Sequence, residues 1–248
     1  MSTLLVPYHL DEYLPAIEAP ITPDATVVAD LPPGDAWQRM TVLYEQVAAT
    51  VADAVRLSGS PTVVSGDCTT SLGTVCGLQR AGIDPAIVWF DAHGDVQTLE
   101  TTASGYLGGL PLRILVGYRP ELITAAIGLM PVDEDRVLLV DARDLDPPEV
   151  EYLARSAIRR CAVRDAATAL PDGPLYLHVD LDVVDPDELP GLLFPAPGGP
   201  SLPAVAEAVR DILATGRVTA FGVACTWRSG HGTGALVAPH LEAALSAG

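Results

Sequence analysis

The 248-residue chain contains no lysine and no asparagine. All 14 of its basic residues are arginine, set against 32 acidic residues, for a net charge of −18. So little positive charge excludes the basic surface that phosphate binding requires, and no nucleic acid partner is expected. Both missing residues have AT-rich codons, which points to a GC-rich bacterial genome. Cysteine is also sparse. Cys68, Cys76, Cys161 and Cys225 are too scattered for a disulfide framework, leaving one or two free to act as ligands or reactive thiols. No apolar run reaches the ~18 residues of a membrane span. The N-terminal MSTLLVPYHLDEY lacks a basic leader and a long apolar stretch, so a secretion signal is not expected and the chain reads as cytoplasmic, with no membrane partner.

Hydrophobic residues make up 49% of the chain, enough for a large buried core. Short apolar runs alternate with helix-like stretches. The runs predict strands at Thr3–Pro7, Thr26–Ala29, Thr62–Ser65, Ala86–Asp91, Arg136–Asp141, Ile158–Val163, Leu175–Leu181 and Val218–Ala224. Several are nearly unbroken in Val, Ile and Leu, as in strands covered on both faces of a parallel sheet. Helices are predicted at Asp35–Ser58 (with Asp35 as N-cap), Thr70–Ala81, Pro148–Arg155, Pro203–Ala214 and Gly234–Ala247. This alternation describes one α/β domain over residues 1–248, with helices on both faces of the sheet. Ligands of such sheets bind beyond the carboxyl ends of the strands.

Three polar clusters fall at those ends. Ala86-Ile-Val-Trp-Phe runs into Asp91, His93 and Asp95, which the spacing of two places on one side. Leu175-Tyr-Leu leads to His178, Asp180 and Asp182, followed by Asp185-Pro186. Val63-Val-Ser-Gly ends in Asp67-Cys68. One Asp-x-Asp is commonly a turn or a cap. Four carboxylates, an imidazole and a thiol in one pocket repel and lose hydration unless a multivalent cation holds them. Ligands rich in oxygen, with one imidazole, suit Mn²⁺ better than Zn²⁺ or Cu²⁺.

SGDC, DAHGD and HVDLDVVDP resemble the three metal-ligand motifs of the arginase–agmatinase family, and Ala142-Arg-Asp-Leu-Asp146-Pro-Pro-Glu149 resembles a fourth segment. The resemblance extends from about Thr3 to Ala247. It implies a three-layer αβα sandwich around a mainly parallel eight-stranded sheet, holding two Mn²⁺. Cys68, Asp91, Asp95 and Asp180 would hold one ion and Asp91, His93, Asp180 and Asp182 the other. Asp95 would also be catalytic, handling the proton of a hydroxide that attacks a guanidinium carbon. Ser104, Asp146 and Glu149 match positions that bind an amino-acid head group, and His178 would hydrogen-bond a ligand from outside.

Three departures from the family narrow the substrate. Cys68 stands where the family has His, and Gly108 stands where arginases carry a proton-shuttling His that His178 or His231 could replace. Cys225 aligns with a Glu that pairs with the guanidinium. A less basic N-hydroxyguanidine, able to bind neutral, fits these losses. The combination is similar to the branch of the family that cleaves Nω-hydroxy-L-arginine to hydroxyurea and L-ornithine in D-cycloserine biosynthesis. The alternatives are an ordinary arginase or agmatinase, or a non-catalytic metal-binding homologue. The chain ends about where the last helix does, without the tail some arginases use in assembly, so a monomer is expected over a trimer or hexamer. His9 and His240 read as surface or packing residues. Pro195–Pro200 reads equally as a mobile flap or a rigid loop.

Overall fold

The computed structural model of the protein describes residues 2–246. Eight strands form one sheet in which every pair is parallel. They are β1 (Thr3–Val6), β4 (Ala25–Thr26), β5 (Thr62–Ser65), β6 (Ala86–Asp91), β7 (Val137–Asp141), β8 (Arg159–Cys161), β9 (Leu175–Asp180) and β10 (Val218–Ala224). Their spatial order is β4-β1-β5-β10-β9-β6-β7-β8. The chain lays down β1, β4 and β5, leaves a gap before β6, β7 and β8, and fills that gap last with β9 and β10. The carboxyl ends of β5, β10, β9, β6 and β7 therefore stand side by side at the switch in strand order, where open α/β sheets hold ligands.

Side chains alternate between two cores. Ile87 and Trp89 of β6 face one, and Ala86, Val88 and Phe90 face the other. The first core lies under α1 (Ala36–Ser58), α2 (Ser71–Arg80), α3 (Pro111–Leu115), α4 (Thr124–Ile127) and α5 (Pro147–Leu153). The second lies under α6 (Leu202–Leu213) and α7 (Thr233–Ser246). The result is the expected αβα layering.

Helix α1 shows why these segments fold as they do. Met40, Leu43, Tyr44, Val47, Ala48 and Val51 recur at helical spacing and are all buried. Asp35 accepts the Gln38 amide at 2.9 Å while Gln38 Oε1 receives the Asp35 amide, forming a capping box. Helix α2 approaches it closely through Gly73 and Gly77. A methyl group at Gly77 would lie 2.7 Å from the Ala48 carbonyl oxygen.

Some boundaries differ from the sequence reading. The second strand covers only Ala25–Thr26, because β1 offers it just two register partners there. Thr70 caps α2 rather than joining it, at the end of a 3₁₀ turn over Cys68–Thr70. Ala247 lies outside the described residues. A short antiparallel hairpin, β2 (Tyr8–His9) with β3 (Glu12–Tyr13), and the helices α3 and α4 are too short to carry a readable periodicity. No helix among the described residues is long and apolar enough to cross a membrane.

Candidate metal centre and its cavity

A cavity of about 370 Å³ opens over the carboxyl ends of the central strands. Its wall includes Cys68, Asp91, His93, Asp95, Asp180 and Asp182, the six residues singled out as metal ligands. Strand β6 delivers Asp91 as its last residue. The chain then turns so that His93 returns over Asp91, its amide and Nδ1 reaching Asp91 Oδ1 at 2.7 and 3.2 Å. His93 Nδ1 also lies 3.2 Å from Asp182 Oδ2. Strand β9 delivers Asp180, which caps a 3₁₀ turn by accepting the Asp182 amide at 2.9 Å. Strand β5 ends at Ser65, Gly66 follows, and Asp67 caps the next turn by accepting the Thr69 amide at 2.6 Å. That turn aims Cys68 at the site, where its thiol donates to Asp180 Oδ2 at 2.9 Å.

These donors form two overlapping groups. Ligand atoms of Cys68, Asp91 and Asp95 lie within 4.8 Å of one another, as do those of Asp91, His93 and Asp182. Asp91 belongs to both. All four aspartates are at most 5% exposed. Burial, reinforced by the other carboxylates, pushes Asp95 and Asp180 well above the usual carboxylate range and Asp182 up to about 6. Burial and the same carboxylates raise the Cys68 thiol well above its ordinary value. Asp91 is the exception: its desolvation is outweighed by the hydrogen bond and charge of His93, and it stays low. Burial opposes the charge on His93, but Asp182 and Asp91 prevail and push it up to about 12.

The donor set fits divalent cations. Asp95 sits in the left-handed region, at φ 54°, and its Oδ2 is buried with no hydrogen-bond partner. A strained, non-glycine residue that aims an unsatisfied carboxylate oxygen inward is costly twice over. A cation supplies the missing partner. Carboxylate oxygens, one imidazole and one thiol are common donors to first-row divalent metals.

The surroundings hold these ligands in place. His178 is fully sequestered and, dominated by desolvation, falls to about 3, so it is neutral. It bonds Cys68 Sγ through Nε2 at 3.2 Å and Ser71 Oγ through Nδ1 at 3.1 Å. The Trp89 ring packs on it at 3.8 Å between centroids, and the indole N–H donates to Asp91 Oδ2 at 3.1 Å. Thr226 donates to Asp180 Oδ1 at 2.5 Å.

The remaining candidate residues divide. Ser104, Asp146 and Glu149 line the cavity. Glu149 also accepts the amides of Asp146 and Val96, at 3.1 and 3.2 Å, and Gln97 donates to Asp146 at 2.8 Å. Cys225 does not line the cavity. It is 1% exposed and packs in the core with α6 and α7, so its assignment as a substrate contact is corrected to a core role. Its neighbour Thr226 lines the wall instead. Neither His178 nor His231 stands in for the histidine missing at Gly108. His178 is committed to Cys68 and Ser71, and His231 packs beside Gly191 outside the cavity. Tyr106, Phe194 and His9 were not anticipated. Tyr106 and Phe194 line the cavity with rings 4.8 Å apart, and His9 bonds the Tyr106 hydroxyl at 3.0 Å.

The Arginase family matches residues 11–226. The chain belongs to the arginase family. Among family relatives, it is 30% identical to the arginase of Bacillus subtilis over 169 residues, covering 62% of this chain and 57% of that one. It is 31% identical to the N(omega)-hydroxy-L-arginine amidinohydrolase of Streptomyces lavendulae over 185 residues, 73% of this chain and 64% of that one. The chain thus spans less than two thirds of the length of these two relatives. The arginase structure from Bacillus caldovelox superposes with a TM-score of 0.84 at 22% identity, over 98% of this chain and 97% of that one, a likeness of fold.

Arg143 fastens the turn that follows Asp180. It pairs with Asp141 and donates to the carbonyls of Val183 at 2.9 Å, Asp182 at 3.3 Å and Ala196 at 2.7 Å. Asp185 Oδ2 accepts the amides of Gly198 and Gly199, both at 2.9 Å. These bonds tie Ala196, Gly198 and Gly199 of the 195–200 segment to Arg143 and Asp185. Asp141 and Ala142 both adopt positive φ, at 76° and 50°, to bring Arg143 into position. Arg143→Ala leaves Asp141 half-buried without its cation and is expected to cost about 3 kcal/mol in stability. Urea denaturation checks this, and a change below ~0.5 kcal/mol would show that Arg143 holds nothing.

Proposed function

We propose that the chain is a binuclear hydrolase that cleaves the guanidino group of an arginine-type amino acid, converting Nω-hydroxy-L-arginine and water to hydroxyurea and L-ornithine. The observation that carries this reading is the buried cluster in which Asp91 is shared between two sets of three donors. Two Mn²⁺ would sit there, one on Cys68, Asp91, Asp95 and Asp180, the other on Asp91, His93, Asp180 and Asp182. Such a pair supplies Lewis acidity and lowers the pKa of water into the neutral range.

The chain's own residues do the rest. Asp95 takes the proton of the attacking water and passes it to the departing amine. Asp146 and Glu149 put negative charge on the cavity wall, suited to an α-ammonium, and Ser104 at the rim suits an α-carboxylate. These contacts fix the amino-acid head and so orient the guanidino carbon over the carboxylates. Agmatine has no carboxylate and would leave Ser104 unused. His178 holds Cys68 from behind and takes no part in proton transfer.

Nω-hydroxylation is favoured by what the wall lacks. At this point of the wall Thr226 offers a hydroxyl, and no anion, to a guanidinium, while Cys225 is turned into the core. A fully charged guanidinium would forfeit a charge-assisted hydrogen bond there, whereas a neutral N-hydroxyguanidine forfeits little. The name of the Streptomyces lavendulae relative agrees with this substrate. The chain is taken to act as a cytoplasmic monomer, a single catalytic domain over residues 1–248.

Manganese-loaded protein is expected to release hydroxyurea and ornithine from Nω-hydroxy-L-arginine at least ~100-fold faster than urea from L-arginine, a difference of about 2.7 kcal/mol in barrier. Chromatographic identification of the products decides it. A preference for arginine would return the protein to the ordinary arginases. Cys68→Ser is expected to lose one of the two bound ions on dialysis, while Cys76→Ser and Cys161→Ser keep both. Equal manganese in all three variants, by atomic emission, would remove the thiol from the centre.

A further inference from the structure

Gly108 forms part of the cavity wall, and the direction in which a side chain would leave it is occupied. A Cβ there would fall inside the phenol of Tyr106, against its hydroxyl and adjoining ring carbons. Glycine at 108 is therefore the condition for Tyr106 to lie where it does. Its ring contacts Phe194 at 4.8 Å between centroids and His9, nearly parallel, at 5.7 Å.

The polarity of the hydroxyl follows from a chain of hydrogen bonds. The carbonyl oxygen of Gly66 can only accept, and it lies 3.1 Å from His9 Nδ1. With one proton on the ring, that proton therefore sits on Nδ1, and Nε2 is left as an acceptor. Tyr106 lies 3.0 Å from Nε2 and must donate to it. Its only proton is thus committed to His9, and the lone pairs of its oxygen remain for the cavity. Burial, helped by the charges of Asp67, Cys68 and Asp95, raises the phenol far above its ordinary value and keeps that proton in place.

We propose that Tyr106, its polarity set by His9, presents a neutral acceptor that receives an N–H or N–O–H hydrogen from the guanidino end of the substrate. This rests on the function proposed above. Tyr106 is the residue that touches substrate, and His9 is a positioning residue. The arrangement suits a ligand that is neutral at this end, because the acceptor carries no charge of its own.

The test compares Tyr106→Phe, His9→Phe and His9→Gln in the manganese-loaded full chain, with Nω-hydroxy-L-arginine as substrate and L-ornithine as inhibitor. Tyr106→Phe keeps both ring contacts and is expected to raise KM about tenfold, the scale of one hydrogen bond. Manganese content and ornithine inhibition should be unchanged, because ornithine lacks the guanidino group. His9→Phe should match it. His9→Gln, whose side-chain oxygen can still accept from Tyr106, should stay within about threefold of wild type. A KM within about twofold of wild type in Tyr106→Phe, or equal losses in both His9 variants, would overturn the proposal. Should wild-type protein fail to hydrolyse the compound, calorimetric titration reads the same contact. Binding weakened about tenfold in Tyr106→Phe would then uphold the acceptor and overturn the function, while no binding at all would overturn both.

Discussion

Uncompensated negative charge beneath the surface governs this molecule. Asp91, Asp95, Asp180 and Asp182 are gathered at the carboxyl ends of adjacent parallel strands, each at most 5% exposed. Water cannot solvate them there, and the sheet register does not let them separate. The one cationic group among them is His93, whose Nδ1 faces both Asp91 and Asp182. It can balance a single charge. Asp180 answers by accepting from Thr226 and Cys68, and Asp95 has an oxygen that nothing among the described residues satisfies. Carboxylates held this way are poorly stable as ions and well shaped as ligands.

Much of the surrounding structure serves to keep that arrangement from relaxing. Trp89 and His178 lie on neighbouring strands at paired register positions, and together they back Asp91 and Cys68. Arg143 binds the turn after β9 to the 195–200 loop, at the expense of two strained residues before it. Gly66 orients His9 and His9 orients Tyr106. The cavity wall thus carries both acidic groups and an aromatic pair, Tyr106 and Phe194. The substrate proposed, with a charged amino-acid head and a weakly basic tip, would meet both.

The parts legible in the sequence are those with local causes. Six of the runs became largely buried inner strands because strands covered on both faces must be apolar, whereas the edge strands β4 and β8 are largely exposed, and the acidic motifs announced themselves by following the inner runs directly. Asp35 as an N-cap was readable for the same reason: the cap and its Gln38 partner are three residues apart. What escaped depends on distant pairings. His9 looks isolated until Gly66 and Tyr106, separated from it by 57 and 97 positions, converge on it. Its one local signal was the short hairpin that carries it, too brief to show a period. Cys225 follows the last residue of β10 and packs into the core, and the wall residue is its neighbour Thr226.

The central claim is that the cluster gathers two cations around a shared Asp91. Anomalous diffraction at the manganese absorption edge, from manganese-replete crystals, tests it most directly. The account predicts two peaks in the cavity, both in contact with Asp91, one beside the Cys68 sulfur and the other beside His93. Asp91, Asp95, Asp180 and Asp182 crowding around solvent alone, with no anomalous signal, would contradict it.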